Sequence, residues 1–256
     1  MSSYLLMNLM FFVVVIGVSL GMLWIARRFR GSLSETDRIG GVVGAATAVY
    51  SVILGMIVVA AWQRFNDAEM LLGTENDALF MISRLATNYP EDDRTEIRNL
   101  LIDYADAVVK DELGDEPRWS KNASMAVRQL YDVHTAMGLN PKVSPAVLQE
   151  SIGAVLALEE ARGQRITLIN TALPWQFWLL LLFGAVVTVC FVSLFTTEQK
   201  WVHVPIVIAT ALVISMTLAL LVDLDQPLAP PIRADVENYS HAVRALEAEI
   251  RATPAT

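Results

Sequence analysis

Four long apolar runs, none containing Asp, Glu, Lys or Arg, constrain this chain more than any other feature of its sequence. They are Tyr4 to Ala26, Ile39 to Trp62, Trp175 to Thr197 and Trp201 to Val222. A membrane-spanning helix needs about 20 mostly apolar residues, and its backbone must satisfy its own hydrogen bonds within lipid. The runs therefore predict an all-α membrane protein with four transmembrane helices and a helical extramembrane domain between the second and third.

The charged residues are concentrated between and after the spans. Positions 63–173 carry 18 acidic and 11 basic residues, and helical spacing of the apolar positions predicts three helices there. The first has an apolar stripe, and the third begins at Pro145, a residue favoured in the first turn of a helix. The stripe of the first helix is Ile97, Leu101, Tyr104 and Val108, and the tail carries a further stripe of Val236, Tyr239, Val243, Leu246 and Ile250. The predicted parts are a first transmembrane hairpin at 1–62, an acidic helical extramembrane domain at 63–173, a second transmembrane hairpin at 174–222 and a helical C-terminal tail at 223–256. The net charge of −8 argues against nucleic acid as a partner.

Basic residues near the spans predict the orientation. The loop after the first span carries Arg27, Arg28, Arg30 and Arg38, whereas the N-terminal tip carries no Lys or Arg. Short loops rich in Lys and Arg stay in the cytoplasm. We therefore expect a multi-pass protein of the cell membrane, which in a bacterium is the inner membrane, with the central domain and the tail on the outer side.

The second span continues without a helix breaker into the polar segment that follows, so one helix can run from about Gly41 to Asn88. A seven-residue frame places one seam along it: Gly44, Thr47, Ser51, Leu54, Val58, Ala61, Phe65, Ala68, Leu72, Glu75, Leu79, Ile82, Ala86 and Tyr89. Two interpretations stay open. Small residues allow close helix packing, or the seam lines a pore on a symmetry axis.

In the pore interpretation, Thr47, Ser51 and Gly55 offer hydroxyl and backbone oxygens to ions, and Val58 and Phe65 form apolar constrictions. These residues are the predicted pore-lining set, together with Glu75. The packing interpretation needs no lumen and explains the same small residues.

Glu75 is the one carboxylate on an otherwise apolar seam, where an unpaired charge is costly. It either faces an oligomer axis, where ions and water reach it, or pairs with Arg162 or Arg165. Further carboxylates one or two turns away would attract cations: Asp67, Glu69 and Asp77. Asp223 and Asp225, at the end of the fourth span, are either solvated caps or a binding site for a divalent cation.

Catalytic motifs are absent from the sequence. It contains no glycine-rich phosphate loop, no GxSxG and no HExxH, and its single cysteine, Cys190, lies in an apolar run. We therefore predict a protein that is not an enzyme and needs no cofactor, and the sequence leaves the identity of any bound metal open.

Three segments resemble a known family. The run AVYSVILGMIVVAAWQRFNDAE with the Glu75 segment, the run RGQRITLINTALPWQFWLLLLFGAVV and the run LLVDLDQPLAPPI are similar to the bestrophin-like family of bacterial membrane proteins, a domain of unknown function related by name to bestrophin ion channels. The positions matched to the family pattern are Trp62, Glu75, Arg165, Pro174, Trp178, Asp223, Asp225 and Pro227. Gln226 stands where that pattern would have a basic residue.

The resemblance implies an oligomeric ion channel whose pore is lined by the second span, with a cytoplasmic helical region. The last implication conflicts with the charge pattern, which places that region outside. Together, the residues and the resemblance lead us to expect a homo-oligomeric channel, a tetramer or pentamer in the lipid bilayer, that conducts inorganic ions and favours cations. The alternative is a non-conducting membrane scaffold or sensor whose acidic domain binds a partner.

Overall fold

The computed structural model describes residues 17, 21, 36–114, 118–138, 140, 143–194, 200–228 and 236–252. The first predicted span therefore lies outside the described residues, apart from Gly17 and Gly21. Within the described ranges every regular element is helical, as the apolar spacing predicts. The helices are α1 Thr36–Leu85, α2 Glu91–Ala107, α3 Lys121–Met137, α4 Pro145–Asn170, α5 Trp175–Leu194, α6 Lys200–Asp225 and α7 Val236–Ala252. A 3₁₀ turn follows α1 at Ala86–Asn88, and a π turn follows α2 at Val108–Glu112.

Helix α1 is 50 residues long and unbroken, which confirms the predicted continuous helix. No proline interrupts it, so every backbone donor after the first turn can bond within the helix. The helical conformation ends just before Pro90, because a proline disfavours helical backbone angles in the residue that precedes it. Tyr89 accordingly has extended backbone angles, φ −98° and ψ 159°.

The chain divides into two compact units. The span unit comprises the described residues of Met1–Arg64 and Ala172–Gln226, and the helical unit comprises those of Phe65–Thr171 and Pro227–Thr256. The two units are defined by packing within the chain and not by a membrane boundary. The division into four parts that the sequence predicts therefore stays a prediction.

Three helices in the described residues are long and apolar enough to cross a membrane. The candidate segments are Gly44–Asn88, Trp175–Ser193 and Val204–Asp225. In the span unit α5 and α1 approach closely at Gly184. A Cβ atom added there would collide with the ring of Tyr50, whose hydroxyl donates a hydrogen bond to the carbonyl of Leu181 at 3.0 Å. This contact uses the missing side chain of glycine to bring two helices together.

The helical unit buries the second half of the α1 seam. Phe65, Leu72 and Leu79 are all buried within the unit, as is the rest of the seam down to Tyr89. The predicted stripe on α2 is fully buried: Ile97, Leu101, Tyr104 and Val108 each have 0% of their surface exposed. Thus periodicity alone identified most of this core.

The remaining helices of this unit follow their sequence signals. Ser120 caps α3 by accepting a hydrogen bond from the backbone amide of Ala123 at 3.3 Å. Helix α4 begins with Pro145 in its first turn, as predicted. On α7 the predicted stripe buries Tyr239, Val243 and Leu246, and this helix packs against α2.

We expect Gly184→Ala to lower the stability of the protein, because the added methyl group must displace the Tyr50 ring. Overpacking of this kind costs about 1–3 kcal/mol. The measurement is the thermal unfolding midpoint in detergent. The matched control is Gly44→Ala, where an added Cβ meets no atom within 4 Å. An equal or higher midpoint for Gly184→Ala than for Gly44→Ala would contradict the close contact.

Candidate functional site

The most concentrated polar arrangement in the helical unit is built around Glu75. Its carboxylate has no exposed surface and pairs with Arg165, which is also fully buried. The Nε of Arg165 donates to Glu75 Oε2 at 2.8 Å, and its Nη2 donates to Oε1 at 3.3 Å. Two tyrosine hydroxyls, those of Tyr104 and Tyr239, donate to the same Oε1 at 2.6 and 2.9 Å.

A second carboxylate, Glu112, extends this arrangement. Glu112 Oε2 accepts from Arg165 Nη2 at 2.8 Å, and its Oε1 accepts from Arg162 Nη2 at 2.6 Å. The backbone amide of Ser120 also donates to Glu112 Oε1, at 3.0 Å. Glu75, Glu112, Arg162 and Arg165, with Tyr104 and Tyr239, are called the charge cluster below. It joins α1, α2, the π turn, α4 and α7.

The charges of the cluster balance, with two carboxylates facing two guanidinium groups. Burial opposes the charge on Arg165, but the Glu75 carboxylate more than compensates and raises the pKa of Arg165 above its ordinary value. Burial, reinforced by the Glu75 carboxylate, raises the pKa of Tyr104 and of Tyr239 well above the ordinary tyrosine value. Both tyrosines therefore remain protonated donors at neutral pH.

The burial of Glu75 corrects the expectation that it faces an open axis. The helices of its own unit cover the carboxylate, and Arg165 neutralises it, so the ion-pair alternative is the one that the geometry supports. Phe65 is likewise packed inside the helical unit with 6% of its surface exposed, so it cannot form a constriction in a lumen. Both residues lay on the predicted seam, but this half of the seam is core.

The other predicted pore-lining residues lie together in the span unit. Thr47, Ser51, Gly55 and Val58 line one groove of about 770 Å³. Its opposite wall includes α6 residues, among them Thr210, Val213 and Thr217. The structure thus brings together the half of the seam that lies before Arg64.

Three of the hydroxyl groups that line this groove share one hydrogen-bond pattern. Each hydroxyl donates a hydrogen bond of 2.9 Å to the backbone carbonyl four residues earlier. The pairs are Ser51 with Thr47, Thr210 with Ile206 and Thr217 with Val213. A hydroxyl whose proton is used within its own helix presents only oxygen lone pairs to its surroundings. These three hydroxyls therefore offer acceptors to the groove, which suit cations and hydrogen-bond donors.

The predicted acidic residues have different environments. Asp67, Glu69 and Asp77 are exposed on α1 within the helical unit. Asp225 is 8% exposed and bonded: its Oδ1 accepts from Arg64 Nη1 at 2.9 Å and from the backbone amide of Leu173 at 2.8 Å.

This bonding favours a helix-end role for Asp225 over the cation-binding alternative. Asp223 is half-buried. Among the described residues no group of three or more His, Cys, Asp or Glu side chains could hold a metal ion. The matched positions Trp62 and Pro174 are exposed, Trp178 is half-buried and Pro227 is buried.

Sequence reasoning missed three members of the cluster, Glu112 and the hydroxyls of Tyr104 and Tyr239. Both tyrosines were recognised only as apolar stripe positions. A signal existed, because Arg162 and Arg165 lie one turn apart on a helix with an apolar face, and two buried bases require acidic partners. The sequence does not show that the second partner is Glu112.

The family model of the bestrophin-like domain matches residues 12–239 of the chain. The chain belongs to the bestrophin-like family. This confirms the resemblance carried by the three sequence segments. No curated protein matches the sequence of this bestrophin-like chain.

Solved structures show the same fold. A crystal structure of a bacterial bestrophin homologue from Klebsiella pneumoniae with a leucine-to-threonine mutation has a TM-score of 0.78 and 14% identity, covering 96% of this chain and 99% of the other. A tryptophan-to-alanine variant of the homologue from the same organism has a TM-score of 0.79 and 13% identity, covering 99% and 100%. A crystal structure of a membrane protein with a glycine-to-alanine mutation has a TM-score of 0.79 and 13% identity, covering 96% and 99%.

We expect Glu75→Gln to destabilise the helical unit by about 3 kcal/mol, because it leaves the buried Arg165 guanidinium short of a counter-charge. Protease resistance and hydrogen exchange of this unit measure the effect. Glu69→Gln, an exposed carboxylate on the same helix, is the matched control and should behave as the parent does. Equal protection in the two variants would contradict a stabilising role for the cluster.

Proposed function

We propose that this bestrophin-like protein is a homo-oligomeric ion channel whose pore is lined by α1 and which favours cations over anions. The acceptor-lined face of α1 is the observation that carries the proposal. The seam residues Thr47, Ser51 and Gly55 lie on an open groove, and the Ser51 hydroxyl proton is already used within the helix. Oxygen lone pairs on an apolar wall stabilise a partly dehydrated cation and offer nothing to an anion.

The exposed apolar surface of α1 supports assembly. Val49, Val52, Met56 and Val59 each expose more than half of their surface within one chain. Apolar surface of this extent must be covered by lipid or by other subunits. A central pore needs at least three chains, and we propose four or five. In such an assembly Val58 would form the apolar constriction, and Gly55 would offer backbone oxygen to ions.

The exposed carboxylates are the reason why we propose a preference for cations. Asp67, Glu69 and Asp77 follow the apolar part of α1, and none of them belongs to the charge cluster. Repeated around an axis, each residue contributes one carboxylate per subunit, so a ring of negative charge raises the local cation concentration. Glu75 takes no part in this ring, because its charge is cancelled by Arg165.

The alternative function is a non-conducting scaffold or sensor. Trp119 and Met125 favour it, because both are exposed on the helical unit, by 62% and 46%. Exposed aromatic and methionine side chains are enriched where proteins bind one another. A chain that assembles but passes no current would support this alternative.

For the membrane arrangement we propose four spans in the cell membrane, with both termini and the helical unit on the outer side. The described residues contain three candidate spans. The fourth is the run from Tyr4 to Ala26. The side rests on the basic loop after that run.

Neutralising the exposed carboxylates should weaken cation preference. In the triple variant Asp67→Asn, Glu69→Gln, Asp77→Asn we expect the cation-to-anion permeability ratio to fall several-fold, because the ring of charge is lost. Reversal potentials of reconstituted protein in a planar bilayer under a salt gradient measure the ratio. The matched control is Glu159→Gln with Glu160→Gln, two exposed carboxylates on α4, which should leave the ratio unchanged. Anion selectivity in the parent, or no current at all, would overturn the proposal.

The side of the helical unit can be tested with single cysteines, since Cys190 is the only native one. In a Cys190→Ser background, Lys121→Cys and Ala245→Cys expose a thiol on the helical unit. We expect a membrane-impermeant maleimide to label both in intact cells. Gln199→Cys, which lies between the last two predicted spans in the sequence, should be labelled only after lysis. The reverse pattern would place the helical unit in the cytoplasm, and labelling of all three in intact cells would rule out four spans.

A further inference from the structure

A second buried polar group in the helical unit lies outside the charge cluster. It consists of Tyr89 after α1, His134 on α3 and Ser151 on α4, which are 5%, 0% and 0% exposed. The rings of Tyr89 and His134 meet edge to face, with centroids 5.8 Å apart. The hydroxyl of Ser151 is a neighbour of the Tyr89 hydroxyl.

Each of these side chains has a polar atom without a partner. The Tyr89 hydroxyl, His134 Nε2 and Ser151 Oγ are all buried, and none has a well-formed hydrogen bond to another protein atom, although the two hydroxyls are close enough to interact. A buried polar atom left unsatisfied costs about 1–3 kcal/mol. His134 and Ser151 both neighbour Tyr89, so the three atoms point to one shared partner rather than to three separate defects.

The other ring nitrogen fixes what His134 can offer. Nδ1 lies 2.6 Å from the carbonyl of Leu130, so it carries the proton and donates it to that acceptor. In the neutral ring Nε2 is then an acceptor with its lone pair free. The site therefore presents one nitrogen acceptor and two hydroxyls, each of which both donates and accepts.

We propose that Tyr89, His134 and Ser151 bind a buried water molecule, and that this site makes His134 the acid-sensitive point of the helical unit. A water donates to Nε2, donates to one hydroxyl and accepts from the other. Those three bonds are the usual number for a buried water. A larger ligand would have to displace the Tyr89 and His134 rings that are in contact.

Protonation of Nε2 breaks this pattern. The nitrogen becomes a donor, the water must turn, and a positive charge appears in a buried site without a carboxylate among its three residues. The buried charged groups on the helices packed against α3 are Arg98 on α2 and Arg162 and Arg165 on α4. All three are positive, and Glu112 and Glu75 already engage the latter two.

The remaining titratable neighbours do not supply a buried negative charge that would stabilise protonated His134. On α3 itself, Tyr131 and Asp132 are exposed to solvent. Burial lowers the pKa of His134, while its bond to Leu130 opposes the shift more weakly. A folded-state pKa below the unfolded value means that the stabilisation is present above about pH 6.5 and is lost as pH falls through the folded-state pKa.

Hydrogen exchange of α3 in the full-length protein in detergent tests the acid sensitivity. After correction for intrinsic exchange chemistry, we expect the opening equilibrium to rise with acidification below about pH 6.5, by up to about tenfold per pH unit for one proton. His134→Gln keeps an acceptor that does not titrate, so this variant should lose that dependence. The control His241→Gln, an exposed histidine on α7, should keep it.

Retention of the acid dependence in His134→Gln would overturn the proposal. If that variant fails to fold, ¹³C-histidine spectra of the parent protein decide the matter, with the His241→Gln spectrum assigning one signal. A buried histidine titrating below pH 6.5 is expected, and three histidines all titrating at or above it would exclude the acid switch.

The shared water has its own test in a double-mutant cycle. Tyr89→Phe and Ser151→Ala each remove one hydroxyl from the water, and their effects on α3 opening at pH 7.5 should be non-additive by several-fold. Additive effects would show that the two hydroxyls share no ligand. Non-additivity that persists in a His134→Phe background would leave the histidine outside the site and overturn its role.

Discussion

The mutual neutralisation of two buried carboxylates by two buried guanidinium groups is the interaction on which the helical unit depends. Removing one partner would leave an uncompensated charge away from water, which costs more than the intact arrangement contributes. The geometry is also demanding, because Arg165 contacts Glu75 and Glu112 at once, each at 2.8 Å at its shortest. Helix α4 can satisfy both only in one rotation and one register. Loss of one member of the cluster is therefore costly, and the geometry of the intact cluster favours one packing of the unit.

Because of this arrangement, only part of the α1 seam is open to its surroundings. One seam runs along the helix, but one half of it is buried and the other half lines a groove. Beyond Arg64 the seam is core, and its one carboxylate, Glu75, has its charge cancelled. Before Arg64 the seam lines an open groove where hydroxyl protons are bonded within the helix and lone pairs remain. In the proposed channel the cation preference therefore rests on these acceptors and on exposed carboxylates such as Asp67, and not on the seam carboxylate.

Periodicity predicted the unbroken α1, the stripe on α2 and the start of α4 at Pro145, because each depends on residues close in sequence. The same seam misplaced Glu75. A face that is apolar at helical spacing is either covered by the chain itself or by another copy, and spacing does not distinguish the two. The partner that decides it, Arg165, lies 90 residues away. For Asp225 the deciding partner is also remote in sequence, since Arg64 is 161 residues away.

The low sequence identity to the solved structures is consistent with this difference between local spacing, which sets the helices, and individual polar contacts. A fold shared at 13–14% identity over nearly the whole chain requires apolar spacing, long spans and helix ends in the right order, and many sequences meet those demands. Ion preference depends on a few polar atoms, and these can change while the spacing stays the same. A hydroxyl that bonds its own helix and one that points its proton outward differ by one rotamer, yet they present opposite ends of a dipole to an ion. The shared fold therefore leaves the ion preference of the proposed channel undetermined, and in that proposal the hydroxyl oxygens of Ser51, Thr210 and Thr217 are the atoms that favour cations.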